Sequence, residues 1–143
     1  GAAALGRPIS VGAPAVDRDR IDKLAIAAVV AAETALGRHP TVMDHNNPGY
    51  DIESADPREP GRLRFIEVKG KAVGRDTVTV SATQIRCCLN QPDNWILAIV
   101  PVDGELAKGP RYVRRPFTTP PDFAEVSKNL DLAQLFERSE DPS

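Results

Sequence analysis

The apolar positions Ile21, Leu24, Ala25, Ala28, Val29, Ala32 and Leu36 recur at intervals of three and four residues, which predicts a helix over Ile21–Leu36. Asp17 or Asp19 is placed to cap its start, and Gly37 suits the left-handed position that ends a helix. Beyond His39-Pro40 the pattern changes to short extended segments at Thr41–Met43, Gly49–Glu53 and Arg62–Lys69. Ser54–Gly61, with two prolines and a glycine, reads as the loop joining the last two. The β-branched run Asp76–Val80 predicts a further strand, and Ser81–Leu89 a short helix. Trp95–Val102 is almost continuously apolar, as a strand buried on both faces would be. Arg111–Arg115 is a last candidate strand, and Asp122–Phe136 carries helical fragments. A helix, a run of strands, a helix and a buried strand together predict a mixed α/β sheet with flanking helices.

The 143 residues suffice for one domain with one core, assigned to residues 17–138 and followed by a tail at 139–143. Gly6–Val16 is rich in Gly, Pro and Ala without apolar period, so residues 1–16 read as linker or expression remnant. Gly1–Leu5 lacks the charged start and long apolar stretch of a signal peptide, and no apolar run is long enough for a membrane span. The two cysteines, Cys87 and Cys88, are neighbours, and a bridge between adjacent residues is strained. Two free thiols fit a reducing compartment, the cytoplasm or a eukaryotic nucleus, and helix packing with at least one of them inside. A paired Cys-x-x-Cys motif is absent, which argues against structural zinc. A net charge of −2 weighs against a free-standing nonspecific DNA binder but not against a domain delivered to DNA by a larger neighbour.

The chemical signal lies in Phe65-Ile66-Glu67-Val68-Lys69-Gly70. Side chains alternate along a strand, so Glu67 and Lys69 share one face while Ile66 and Val68 take the other. An acid can hold Mg²⁺ or Mn²⁺ there, and an adjacent ammonium can orient or activate a water for phosphodiester hydrolysis. Asp51, sixteen residues earlier on a strand that could pair with this one, would supply the second hard oxygen ligand. Gly70 is a place where backbone can approach a ligand closely. A Glu-x-Lys pair also arises by chance in many chains and serves as an ordinary exposed ion pair. Glu33 falls about 40° from Val29 and about 60° from Leu36 on a helical wheel. That border position suits either a solvated helix-edge acid or one leaning over the metal site.

Several other residues have two readings. His39 and His45 could act as base or ligand, though neither has metal-motif spacing. Lys108, Arg111, Tyr112, Arg114 and Arg115 form a basic cluster that could contact phosphates or simply solvate a strand edge. Trp95 opens the apolar strand and reads as core or core rim.

The run Glu33, Leu36-Gly37-Arg38-His39-Pro40, Gly49-Tyr50-Asp51-Ile52-Glu53-Ser54 and Phe65-Ile66-Glu67-Val68-Lys69-Gly70 resembles the DUF3883 domain. The likeness continues through Asn90-Gln91-Pro92-Asp93, Ile96–Val100 and Arg111–Phe117, covering most of Ile21–Phe136. That domain is often appended to the C-terminal side of large helicases and occurs in the NO VEIN proteins of plants. The resemblance implies a restriction-endonuclease-like fold of the PD-(D/E)XK superfamily, acting on DNA as the accessory domain of a parent helicase. Asp51, Glu67 and Lys69 match the catalytic set expected of that family and Glu33 matches a helix acid; the Val68 carbonyl is expected to serve as a third ligand for Mg²⁺ or Mn²⁺. Where the family often has Asn-Glu, this chain reads Ser81-Ala82-Thr83-Gln84. Gln84 could touch the site, and Ser-x-x-Gln is also a helix capping box. A catalytically silent nucleic-acid-binding module and a protein-docking domain are the alternatives.

Overall fold

The computed structural model of the chain describes residues 12–143, with side chains from Asp17 onward. The long first helix, α1, spans Gly12–Ala35 and ends on Gly37 at φ 81°, as expected of a left-handed stop. It starts earlier than the apolar period indicates. Asp17 and Asp19 therefore do not cap it but lie on its surface, paired with Arg20 at 2.7 Å and Lys23 at 3.1 Å. The expected linker lies outside the described residues as far as Val11, and Gly12–Val16 belongs to the helix.

Eight strands follow: β1 (His39–Val42), β2 (Ile52–Ala55), β3 (Leu63–Ala72), β4 (Thr77–Ser81), β5 (Trp95–Asp103), β6 (Leu106–Ala107), β7 (Arg111–Arg114) and β8 (Ser127–Asp131). The helix α2 (Ala82–Asn90) sits between β4 and β5, and α3 (Leu132–Arg138) follows β8. The main sheet runs β1-β2-β3-β5-β6, with β7 also paired to β5; β4 and β8 form a separate ribbon. Only β3 and β5 pair in parallel, which obliges the chain to cross over between them, here through β4 and α2. The fold is thus the expected mixed sheet with flanking helices.

Alternation along β5 divides the core. Ile96, Ala98, Val100 and Val102 pack with Ile66, Val68 and the α1 residues Ile21, Ala25 and Val29. Trp95, Leu97 and Ile99 pack on the opposite face with Ile85 and Cys88 of α2, Val78 and Val80 of β4, and α3. Cys88 is buried, Cys87 is half-buried, and both are free. No helix among the described residues is long and apolar enough to cross a membrane.

Gly70 does not end β3, which continues to Ala72, and the element that approaches it is α1 rather than a ligand. A Cβ at Gly70 would lie 2.8 Å from the Ala25 Cβ and 3.0 Å from the Ile21 carbonyl. Gly70→Ala should therefore push α1 off the sheet and destabilise the domain by about 1–3 kcal/mol, read by urea denaturation. Wild-type stability in that variant would show that α1 shifts without penalty. The tail differs from expectation too. Ser127–Asp131 is a strand because β4 supplies its partner, Val80 opposite Lys128 and Val78 opposite Leu130, although its own sequence has no strong β pattern. The expected tail at 139–143 is tied to β7, with Tyr112 and Glu140 exchanging backbone bonds of 2.8 and 2.9 Å.

Candidate metal and phosphodiester site

The loop before β2 carries Asp51 to the edge of β3. The Trp95 indole N–H donates to the Gly49 carbonyl at 3.0 Å, and Asn47 Nδ2 donates to the Tyr50 carbonyl at 2.8 Å. Regular β2–β3 pairing stops at Ile52 opposite Ile66. One residue earlier, the Asp51 carboxylate takes the place of a strand partner and accepts the Val68 N–H at 2.8 Å. The Val68 carbonyl faces the same edge as its N–H, where β2 has already turned away.

Glu67 lies at the centre of β3 and is only 4% exposed. Burial pushes its carboxyl up to about 8; Lys69 opposes the shift and the nearby Asp51 reinforces it. The Lys69 ammonium stands 3.2 Å from Glu67 Oε2 and donates to Gln84 Oε1 at 3.2 Å. The same Gln84 oxygen accepts the Ser81 N–H at 2.9 Å, while the Ser81 hydroxyl accepts the Gln84 N–H at 3.1 Å. Gln84 thus closes the capping box and also contacts the lysine.

Asp51, Glu67, Val68 and Lys69 line one cleft of about 1110 Å³, open between the N-terminal half of α1, the β1–β2 loop and the far end of β3. His45 borders the cleft from an exposed position, whereas His39 does not line it. Among the described residues, no group of three or more His, Cys, Asp or Glu side chains gathers closely enough to hold an ion unaided. Two carboxylates and a backbone carbonyl are nevertheless hard oxygen donors, and Mg²⁺ characteristically keeps several waters. A buried carboxyl that resists ionisation beside a second acid is also a position that a cation would relieve. The donor set fits a divalent ion completed by water.

Glu33 lies elsewhere, and its expected place in the site is corrected. It is fully buried on the α1 side of the sheet, where Tyr112 Oη donates to Oε2 at 2.7 Å and Arg64 at 3.1 Å. Arg38 approaches Oε1 at 3.2 Å without the alignment of a hydrogen bond. Arg64 shares its strand face with Ile66 and Val68, opposite Glu67 and Lys69. Of the α1 acids that border the cleft, Asp17, Asp19 and Asp22, it is Asp22 that feels the charge of Asp51. Partial burial raises its pKa, as does the charge of Asp51, with Lys69 pulling the other way. The signal for Asp22 was present in the helical period, since it falls about 20° from buried Val29 on the wheel.

The basic cluster near β7 is largely neutralised. Arg111 pairs with Asp141, Arg114 with Glu140 at 2.8 Å and Arg115 with Asp93, while Tyr112 is core. Trp95 is core as well, at 1% exposure.

The mixed sheet covered by helices has a counterpart among solved structures. The solved structure of Archaeoglobus fulgidus Hjc, a Holliday junction resolvase from an archaeal hyperthermophile, superposes with a TM-score of 0.52 at 13% identity, over 80% of this chain and 94% of that one. At that identity the likeness establishes the fold. The sequence itself matches the family defined by the C-terminal region of protein NO VEIN over residues 21–113, and the chain belongs to that family. No curated protein matches it significantly.

Proposed function

We propose that the chain is a metal-dependent nuclease-like domain of the PD-(D/E)XK type, acting on DNA phosphodiesters as the accessory domain of a larger helicase-type protein. The observation that carries the reading is the convergence of Asp51, Glu67 and Lys69 in one open cleft. The nuclease-type fold shared with a junction-cutting enzyme supports it. The helicase association rests on the DUF3883 likeness alone.

Asp51, Glu67 and the Val68 carbonyl would hold Mg²⁺ or Mn²⁺, with Asp22 reaching the same ion through water. Such an ion supplies a nucleophilic water near neutral pH and neutralises charge developing on the phosphoryl oxygens. The protein's own part falls chiefly to Lys69. Its ammonium, held by Gln84, orients the attacking water and offsets charge in the transition state. Gln84 acts through Lys69 as a positioning residue.

Lys69→Ala should abolish Mg²⁺-dependent cleavage of labelled DNA while Mn²⁺ binding, followed by calorimetry, survives. Loss of Mn²⁺ binding in that variant would reassign Lys69 to holding the acids in place. The engagement of Lys69 by both Glu67 and Gln84 favours a second reading, a silent module that grips DNA without turnover. That reading gains if wild type binds DNA and Mn²⁺ but never cuts.

A further inference from the structure

The cations of this chain are distributed unevenly between those with partners and those without. Arg20, Lys23, Arg38, Arg58, Arg62, Arg64, Lys69, Arg111, Arg114, Arg115 and Lys128 all sit in ion pairs. Arg18, Lys71 and Arg75 are among the described residues that form neither an ion pair nor a side-chain hydrogen bond, and all three line the cleft that holds Asp51 and Glu67. Lys71 follows Lys69 by two residues on β3, so the two ammonium-bearing side chains leave the same strand face about 6.6 Å apart. Arg75 stands in the turn that begins just beyond β3. Partial burial lowers the pKa of Lys71, and the charges of Lys69 and Arg75 add to the effect, with Asp22 opposing it more weakly. Like charges brought together without an ion pair to hold them are unfavourable until an anion joins them. Asp17 and Asp19 are engaged by Arg20 and Lys23, and Asp22, whose charge does act on Lys71, forms no ion pair with it.

We propose that Lys71 and Arg75, with Arg18 on α1 lining the same cleft, form a subsite for the backbone phosphate next to the one held at Glu67 and Lys69. This rests on the nuclease-like reading of the cleft and deepens it. The site takes a polynucleotide strand running outward along β3, not an isolated phosphate ester. Acid, lysine, lysine and arginine succeed one another from the buried centre of the strand to its turn, a phosphoryl-transfer position followed by a grip on the neighbouring phosphate. The guanidinium of Arg75 can bind that phosphate in two-pronged fashion, and Lys71 adds a point charge.

The test is binding of fluorescein-labelled single-stranded DNA by anisotropy, in Ca²⁺, across a salt series. Each lost phosphate contact should lower the slope of log affinity against log salt by about 0.7 for a single strand. Lys71→Ala with Arg75→Ala should thus flatten the slope by about 1.4 and weaken binding roughly tenfold at moderate salt. Lys108→Ala, which removes an equally unpaired charge outside the cleft, should leave the slope unchanged. Both altered side chains leave the core intact, and urea denaturation of the double variant checks that it is folded. An unchanged slope in the double variant, or an equal loss in Lys108→Ala, overturns the subsite while the metal-site reading stands. Failure of the wild-type chain to bind either the DNA or Mn²⁺ overturns both.

Discussion

Replacing Glu33 with alanine should destabilise the domain by roughly 3–5 kcal/mol, the effect of removing one partner from a buried charged cluster. The arginines left behind are nearly enclosed, with Arg64 14% and Arg38 11% exposed at their side chains. The Tyr112 hydroxyl, whose pKa is raised chiefly by burial and further by its bond to Glu33, would lose its acceptor. The same carboxylate ties the last turns of α1 to β3 and β7, so its loss loosens two contacts of the helix with the sheet at once. Glu33→Gln keeps an acceptor for Tyr112 but not the charge, and should fall between wild type and Glu33→Ala. Urea denaturation measures the loss, and Mn²⁺ calorimetry on the same variants should show affinity nearly unchanged. Weakened Mn²⁺ binding at wild-type stability would return Glu33 to the metal site.

Glu33 also shows where sequence reasoning loses purchase. The helical period placed it correctly at the border of the apolar face, but a wheel cannot say which end of a helix passes over which end of a strand. α1 crosses β3 so that Ile21 and Ala25 close on Gly70, which brings Asp22 to the cleft and carries Glu33 away to Arg64 and Tyr112. The strand β3 was legible because alternation is a local property, and it placed Glu67 and Lys69 side by side without knowledge of the fold. β5 was legible through its unbroken apolar run. Asp51 needed a hairpin to reach Val68, and its sixteen-residue separation from Glu67 allowed one. β8 was not legible, because Ser127–Asp131 is extended only by virtue of pairing with β4. The arginines of β7 looked available to phosphates until Glu140 and Asp141 folded back onto them. Lys71 and Arg75 carried no motif at all; what singles them out is the absence of partners in a cleft, which only three dimensions reveal.

The stability of the metal-free domain should fall as pH rises from about 4.5 to about 8, and Glu67→Gln should remove most of that dependence. The folded chain holds the Glu67 proton up to about 8, whereas the unfolded chain releases it near the ordinary carboxyl value of 4.5. Between those values the native state binds more protons than the unfolded one, so each rise in pH favours unfolding. The penalty is absent below the lower value and complete above the upper, and at 1.36 kcal/mol per unit it amounts to a few kcal/mol. Glu67→Gln should therefore be more stable than wild type at pH 8 and close to it at pH 4.5, as followed by chemical denaturation at each pH. A divalent ion reverses the balance, because it pairs with the carboxylate that burial disfavours. Mn²⁺ must displace the proton, so its affinity should climb about tenfold per pH unit up to about 8 and then level off. The neighbours give the result a direction. Lys69→Ala removes the charge that opposes the shift and should move the levelling point higher, while Asp51→Asn removes a charge that reinforces it and should move the midpoint of the stability profile lower. Stability and Mn²⁺ affinity that are both flat from pH 5 to 8 would mean that Glu67 is ionised throughout. The site would then be a preformed anionic pair, without the proton-for-metal exchange that its burial implies.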